Sequence, residues 1–491
     1  MEPRVILIAV TAILVCFGLL MIWSASSVTD LASSTYNNDP MYHVKSQLRY
    51  VVFGVVLAVF ATRFDYHLWT KTFVRPLWIA VMVALAMVFL PGTSQDAYGA
   101  SRWINIGGFG FQPSEFAKIF IIICAAEIAQ NYFEERSVDD SGVLKLIAVG
   151  VGVPLLAILA QPDKGSTMIL GMTLLVMAYL AGLDRRWVAA IAVLGIVGFL
   201  FLSFKDSYSR SRMMILFDPW SDALDSGYQL IQGFYAFGSG GIFGVGLGFS
   251  KQKYAYLPMT HNDFIYAIIG EELGLVGTVG LLVLFAILLW AGFEISKHAS
   301  DLSGRLIAAG CTSMLIIQLF VNICGVIGIL PMTGKPIPFI SYGGSSIIAS
   351  LLMVGVILSV SFNTVLPETD NDRVRRTWRV SEGGAGDPGL SFVGEPTPRS
   401  SRREGQGSAR GGANQTSGSG FRVINGGGNG GNATTQREAR PRTGREGREQ
   451  NTRGRSTPLT GGAQQGRSRI DLGPSATDRL RGRDTGPKRR R

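Results

Sequence analysis

Long apolar runs separated by short polar connections fill the first three-quarters of the chain. A membrane-spanning helix needs about 20 mostly apolar residues. Ten stretches meet that length, at 5–27, 47–63, 74–92, 113–131, 143–160, 165–183, 187–204, 264–296, 304–331 and 338–366. The eighth is longer than a bilayer requires and is expected to tilt or to project beyond it. Ser24-Ala25-Ser26 resembles a signal-peptide cleavage site, but the run before it is long and further spans follow, so it reads as an anchor. The pattern predicts an all-α polytopic membrane protein for residues 1–367. It has ten transmembrane helices and a large extracellular loop between helices 7 and 8. Residues 368–491 read as a disordered, basic, Gly/Arg-rich cytoplasmic tail.

Composition supports this reading, since 47% of residues are hydrophobic and only 16% are charged, too apolar a balance for an ordinary soluble enzyme. The net charge of +11 belongs to the tail. Residues 368–491 hold 25 Lys and Arg against 13 Asp and Glu, whereas the remainder holds 21 against 22. The tail carries Gly426-Gly427-Gly428-Asn429-Gly430-Gly431, ends Lys488-Arg489-Arg490-Arg491, and has too few large apolar residues to offset its ordering entropy. A solvated linker is the plainer reading, contact with anionic membrane lipids or acidic partners the alternative, and no nucleic-acid partner is expected.

Ten spans put both termini on one side, and the cluster Arg373, Arg375, Arg376 and Arg379 assigns that side to the cytoplasm. Segments 28–46, 93–112, 205–263 and 332–337 then face outward. That outer face carries Arg102, Lys164, Lys205, Arg210, Arg212, Lys251, Lys253 and Lys335. Orientation rules do not favour positive charge on that face, so it points to an anionic ligand there.

Cys16, Cys124, Cys311 and Cys324 all lie in apolar runs without a CxxC pair and read as small buried apolar residues, with no disulfide or structural zinc. His43, His67, His261 and His298 are scattered along the chain, which gives no histidine metal site. Nothing resembles a Walker A loop, a Rossmann fingerprint or a zinc-protease motif, so no sign of ATP-driven transport is present.

Polar residues inside an apolar span are costly, so each is a candidate for function until a partner is found for it. Gln112-Pro113-Ser114-Glu115-Phe116-Ala117-Lys118 opens the fourth span, with Glu115 and Lys118 three apart and able to pair. Trp103 lies just upstream as an interfacial aromatic. A structural ion pair pinning one helix is the alternative to a charged patch at the mouth of a cavity. Asp263 stands where the eighth span begins, so helix capping competes with chemistry as its role. Glu271 and Glu272 fall about 80 and 180 degrees around an ideal helix from it, which argues against a paired-carboxylate hydrolase on one helix. The last outer turn, 331–346, mixes prolines, paired glycines and hydroxyls, including Lys335 and Ser341. It is expected to line a cavity, with close helix packing as the alternative.

Taken in order, Arg102-Trp103, Gln112-Pro113-Ser114-Glu115 with Lys118, Gln161-Pro162-Asp163, Phe217-Asp218-Pro219-Trp220, Gly227-Tyr228-Gln229, Gly238-Ser239-Gly240-Gly241, Leu257-Pro258, Asp263-Phe264-Ile265, Glu271-Glu272-Leu273-Gly274, and Pro338-Phe339 with Ser341-Tyr342-Gly343-Gly344-Ser345-Ser346 resemble the SEDS family (shape, elongation, division and sporulation). The resemblance is nearer to its division member and leaves the tail outside. Departures from the family pattern stand at Met259, Asn262 and Tyr266. It implies a peptidoglycan glycosyltransferase that polymerises lipid II at the outer face of the bacterial plasma membrane during division, partnered by a class B penicillin-binding protein transpeptidase and other division proteins. The family's essential outer-loop aspartate maps to Asp263, the expected general base. Arg102, Trp103, Glu115, Lys118, Arg210, Arg212, Lys335 and Ser341 become substrate-binding candidates, with or without a divalent cation (Mg or Mn). A lipid II flippase, in which Glu115 and Lys118 line a path, and a non-catalytic division scaffold are the rival readings.

Overall fold

The computed structural model describes residues 2–90, 94–97, 100–106, 109–254 and 256–364. The predicted tail, 368–491, and the end of the predicted third span lie outside these residues. The apolar runs become α1 (Pro3–Ala32), α2 (Tyr42–Arg63), the shorter α3 (Val74–Met87) and α4 (Pro113–Ala129), followed by a π turn to Glu134. Next come α5 (Asp140–Ile147) and α6 (Val153–Ala160), joined into one span by a π turn, then α7 (Lys164–Ala181) and α8 (Arg185–Lys205). Among the described residues nine helical segments are long and apolar enough to cross a membrane, α3 falling short of the ten predicted.

The segment expected as one long loop carries two helices of its own, α9 (Ser207–Phe217) and α10 (Tyr228–Gly240). The last spans are α11 (Ile265–Lys297), α12 (Leu302–Val326) and α13 (Gly344–Phe362). α13 starts six residues later than the predicted 338, because Pro338–Gly343 is irregular despite its apolar composition and Phe339 has a left-handed φ of 66°. A small antiparallel sheet not foreseen from the sequence, β1 (Ser94–Ala97), β2 (Ala100–Ile106) and β3 (Phe109–Phe111), precedes α4.

α12 and α13 form the centre: 89% of the most apolar window of each is buried, against 6% for α8. α12 packs on α4, α7, α11 and α13. Leu194 and Phe201 of the peripheral α8 are exposed, as suits side chains whose apolar surroundings are lipid tails. The Arg4 guanidinium lies over the Phe362 ring, so the first and last described helices meet at one end of the bundle. Aspartates set several helix starts. Asp163 accepts from Ser166 N, Asp184 from Arg186 N and Asp301 from Gly304 N, each satisfying an amide without a partner inside its helix.

The long eighth span is kinked. Gly274 sits at φ 66°, ψ −159°, a conformation that costs a residue with a Cβ far more than glycine. The backbone groups released there are taken up by the chain after α10: Val245 N and Gly246 N donate to the Glu271 and Glu272 carbonyls, and Leu275 N and Val276 N donate to Gly241 and Ile242. Irregular backbone at a span is tolerated when protein satisfies it in this way. The cysteines make no disulfide, but Cys16 is exposed and only Cys311 is fully buried, so the expectation of four buried cysteines is corrected. Cys16 lies on a face of α1 turned away from the bundle, where its weakly polar thiol replaces an aliphatic group.

Candidate active site

Asp263 is half-buried in the loop that leads into α11. It does not cap that helix: the first turn bonds to the Phe264 carbonyl, and among the described residues no amide donates to the Asp263 carboxylate. The carboxylate instead borders an open cleft, together with Arg212, Gln229, Asn322, Thr333 and Gly334. Gly334, at φ 67°, lies so close that a Cβ on it would stand 3.4 Å from Asp263 Oδ2. Burial pushes the Asp263 carboxyl up from its usual range, against the charges of Arg212 and Lys335, which pull it down. Arg212 of α9 is anchored across the cleft by a 2.6 Å bond from Nη1 to the Met332 carbonyl.

Three ties fix the Asp263 loop. Thr260 Oγ1 donates to the Ala25 carbonyl of α1, Tyr342 N donates to the His261 carbonyl, and Asn322 Nδ2 of α12 donates to the Asp263 carbonyl at 2.9 Å. The same amide nitrogen donates to the Lys335 carbonyl at 2.7 Å. The His261 ring rests against His43 and Tyr342, and His43 in turn pairs with the buried Asp30. Burial, followed by the neighbouring His43, pulls His261 down to about 3, so it is neutral over the physiological range.

Beneath the cleft lies a buried cluster of two acids and two bases. Lys118 Nζ pairs with Glu115 Oε2 at 2.9 Å as the three-residue spacing predicts, and also donates to Gln318 Oε1. Lys335 Nζ lies 2.8 Å from Asp163 Oδ2 and 3.7 Å from Glu115 Oε1. Gln112 Nε2 and Ser114 Oγ also donate to Asp163. Charges at this depth are tolerable because each is paired and hydrogen-bonded. A second cluster surrounds the kink: Glu271 accepts from Lys251 N and Ser250 Oγ, while Glu272 accepts from Ser24 Oγ and pairs with Lys253.

The residues picked out from the sequence therefore separate into groups. Asp263 and Arg212 meet at the cleft. Glu115, Lys118 and Lys335 lie inside the protein, each 3% exposed or less. Ser341 is buried too, its hydroxyl accepting from Ile337 N and its carbonyl from Gln47, so it shapes the turn. Arg210 is exposed on α9. Trp103 covers Gly110 in the small sheet, and the side chain of Arg102 lies outside the described residues. Lys253 and Lys164, counted among the outward charges, are taken by Glu272 and Asp206. Asn322 and Gln229, which also line the cleft, are not among the site candidates: nothing near Asn322 in the sequence marks it, and Gln229 stands in the Gly227-Tyr228-Gln229 motif without a role of its own. Among the described residues no group of three or more His, Cys, Asp or Glu side chains is gathered to hold a metal. Asp263 is the one carboxylate among the cleft residues, so these side chains do not by themselves form a Mg or Mn site.

A family model for cell cycle proteins of the FtsW, RodA and SpoVE type matches residues 4–365. The probable peptidoglycan glycosyltransferase FtsW of Geobacter sulfurreducens is 38% identical over 356 residues, which cover 72% of this chain and 94% of that one. The stage V sporulation protein E of Bacillus subtilis is 37% identical over 361 residues, covering 73% and 97%. Among solved structures, one described as showing structural coordination of polymerization and crosslinking by a peptidoglycan synthase complex superposes with a TM-score of 0.58 at 28% identity, covering 73% of this chain and 97% of that one. The rod shape determining protein RodA of Thermus thermophilus gives a TM-score of 0.52 at 26% identity, covering 73% and 96%.

Proposed function

Since the chain belongs to the FtsW/RodA/SpoVE family of cell cycle proteins, and is a multi-pass membrane peptidoglycan glycosyltransferase, we propose that Asp263 is the general base with which it polymerises lipid II. The observation that carries this reading is the placement of the Asp263 carboxylate. It borders an open cleft, is not spent on capping α11, and faces the cation Arg212.

The carboxylate takes the proton of the 4-hydroxyl on the acceptor GlcNAc as that oxygen bonds to C1 of the donor MurNAc. The bond from C1 to the pyrophosphate oxygen breaks, and undecaprenyl pyrophosphate leaves with the electron pair. A single displacement inverts the configuration at C1. A carboxyl pushed up by burial is a stronger base, and a base is most effective when its pKa approaches the working pH. Arg212 is placed to stabilise negative charge as it builds on the leaving group. No step is routed through a metal ion. Glu115, Lys118, Asp163 and the Lys335 side chain act through the shape of the site: they pair with one another and hold the loop that carries Thr333 and Gly334. This pairing weighs against the flippase reading, in which Glu115 and Lys118 are free to meet a passing headgroup.

The cleft faces the outer side of the plasma membrane, with both termini of the chain cytoplasmic and the protein at the division septum. The chain has two domains, the membrane body 1–367 and the basic tail 368–491. The solved relative described as a peptidoglycan synthase complex supports a partner of the class B penicillin-binding type, which crosslinks the new strand. Purified protein supplied with lipid II, alone and with that partner, is expected to yield glycan strands resolvable on a gel. Lipid II crossing liposomes without strand formation overturns the reading in favour of transport.

A further inference from the structure

The Asn322 amide is 4% exposed, lies in the second-last turn of α12, and makes two donor bonds with one nitrogen, to the backbone carbonyls of Asp263 and Lys335. These two carbonyls fix which way the amide points, since the flipped amide would set oxygen against oxygen. The cost of this orientation is visible: Asn322 Oδ1 is buried and has no hydrogen-bond partner among the described residues. An acceptor left in that state is destabilising, and an apolar side chain of the same shape avoids the penalty. An apolar residue would also leave the Asp263 and Lys335 carbonyls without this donor, so the side chain both satisfies two acceptors and fixes their spacing. What it supplies is a clamp joining the loop of the base to the loop of Thr333 and Gly334, the two segments that flank the carboxylate.

We infer that Asn322 is a positioning residue for glycosyl transfer, holding the Asp263 loop and the 331–336 loop in register so that the carboxylate meets the acceptor hydroxyl. The inference rests on the proposed role of Asp263 and adds a residue to it. A base displaced by about 1 Å loses roughly a hundredfold in rate. Loosening the clamp therefore acts on kcat with KM kept, whereas a general defect in the fold acts on substrate binding as well.

The test is lipid II polymerisation by full-length Asn322→Leu beside wild type and Asp263→Asn, with thermal unfolding of each. Asn322→Leu is expected to melt modestly lower than wild type, because two carbonyls lose their donor, to keep KM within about twofold, and to lose about tenfold to a hundredfold in kcat. If Asn322→Leu is unstable, Asn322→Asp matches the native side chain in size and sets a carboxylate against the two carbonyls. It is expected to lose activity similarly and to move the acidic limb of the pH profile upward through repulsion of Asp263. Wild-type rates in these variants, or losses carried by KM with kcat kept, overturn the inference. An inactive wild type, or an active Asp263→Asn, instead overturns the function on which it rests.

Discussion

Lys335 and Asp163 meet at 2.8 Å inside the protein, although a reading of the sequence offers Lys335 to an anionic ligand. Asp163 is also the cap of α7, so one carboxylate joins a helix start to the loop that flanks Asp263. Lys335→Met leaves Asp163 and Glu115 with one cation fewer in a buried site. Removing one partner of such a pair costs about 3–5 kcal/mol. Thermal unfolding in detergent should show a clear loss for Lys335→Met, and partial recovery when Glu115→Gln restores the charge balance. An unchanged melting temperature in the single variant would mean that the cluster is not coupled as the distances indicate.

The kink in α11 gives a second expectation. At Gly274 an added Cβ would approach Gly244 N to 2.4 Å, with φ already left-handed. Gly274→Ala should cost more than about 2 kcal/mol, combining the backbone penalty with the clash. Gly280→Ala on the same helix meets nothing within 4 Å and should leave stability unchanged. Equal melting temperatures for the two variants would contradict the kink.

Much of this was legible in the sequence, for identifiable reasons. Hydropathy alone located all the spans but the third, which is shorter than predicted, and Pro113 marks a helix start that the structure reproduces. The apolar string Pro338-Phe339-Ile340 was read as membrane helix, because composition does not record that Phe339 adopts a left-handed φ or that its carbonyl packs against Gly18 of α1. Helices α9 and α10 escaped because their residues mix polar and apolar types without the length of a span. Asp263 and Glu115 were found because each interrupts or borders an apolar run. Asp163 as the partner of Lys335, and Asn322 as the partner of Asp263, are 172 and 59 residues apart in sequence. Only the folded chain brings such pairs together.

A third expectation concerns the segment that satisfies the kink. Glu271 accepts from Lys251 N and Ser250 Oγ, and Lys253 is buried against Glu272. Glu271→Gln turns an amide toward those donors and should loosen residues 248–253. Limited trypsin digestion should then cut faster after Lys251 and Lys253 than in wild type. An unchanged digestion rate would show that the carboxylate does not hold this segment.

The pH dependence of activity follows from the same charges. A general base works deprotonated, so the rate falls as pH drops through its pKa. Burial raises that pKa, placing the acidic limb above the ordinary aspartate value of about 3.9. Arg212 opposes the rise. Arg212→Gln should therefore shift the limb to higher pH, in addition to slowing the reaction overall. A limb that stays in place or moves to lower pH would remove Asp263 as the titrating group.

The central claim is that Asp263 takes the acceptor proton, and Asp263→Asn tests it most directly because the amide keeps the size of the side chain while removing its basicity. Initial rates of glycan strand formation from lipid II should be compared for equal amounts of folded wild type and variant. The account predicts a loss of about a hundred- to ten-thousandfold with an unchanged melting profile. A variant whose rate stays within about threefold of wild type would contradict it, since a base worth so little is no base for this reaction.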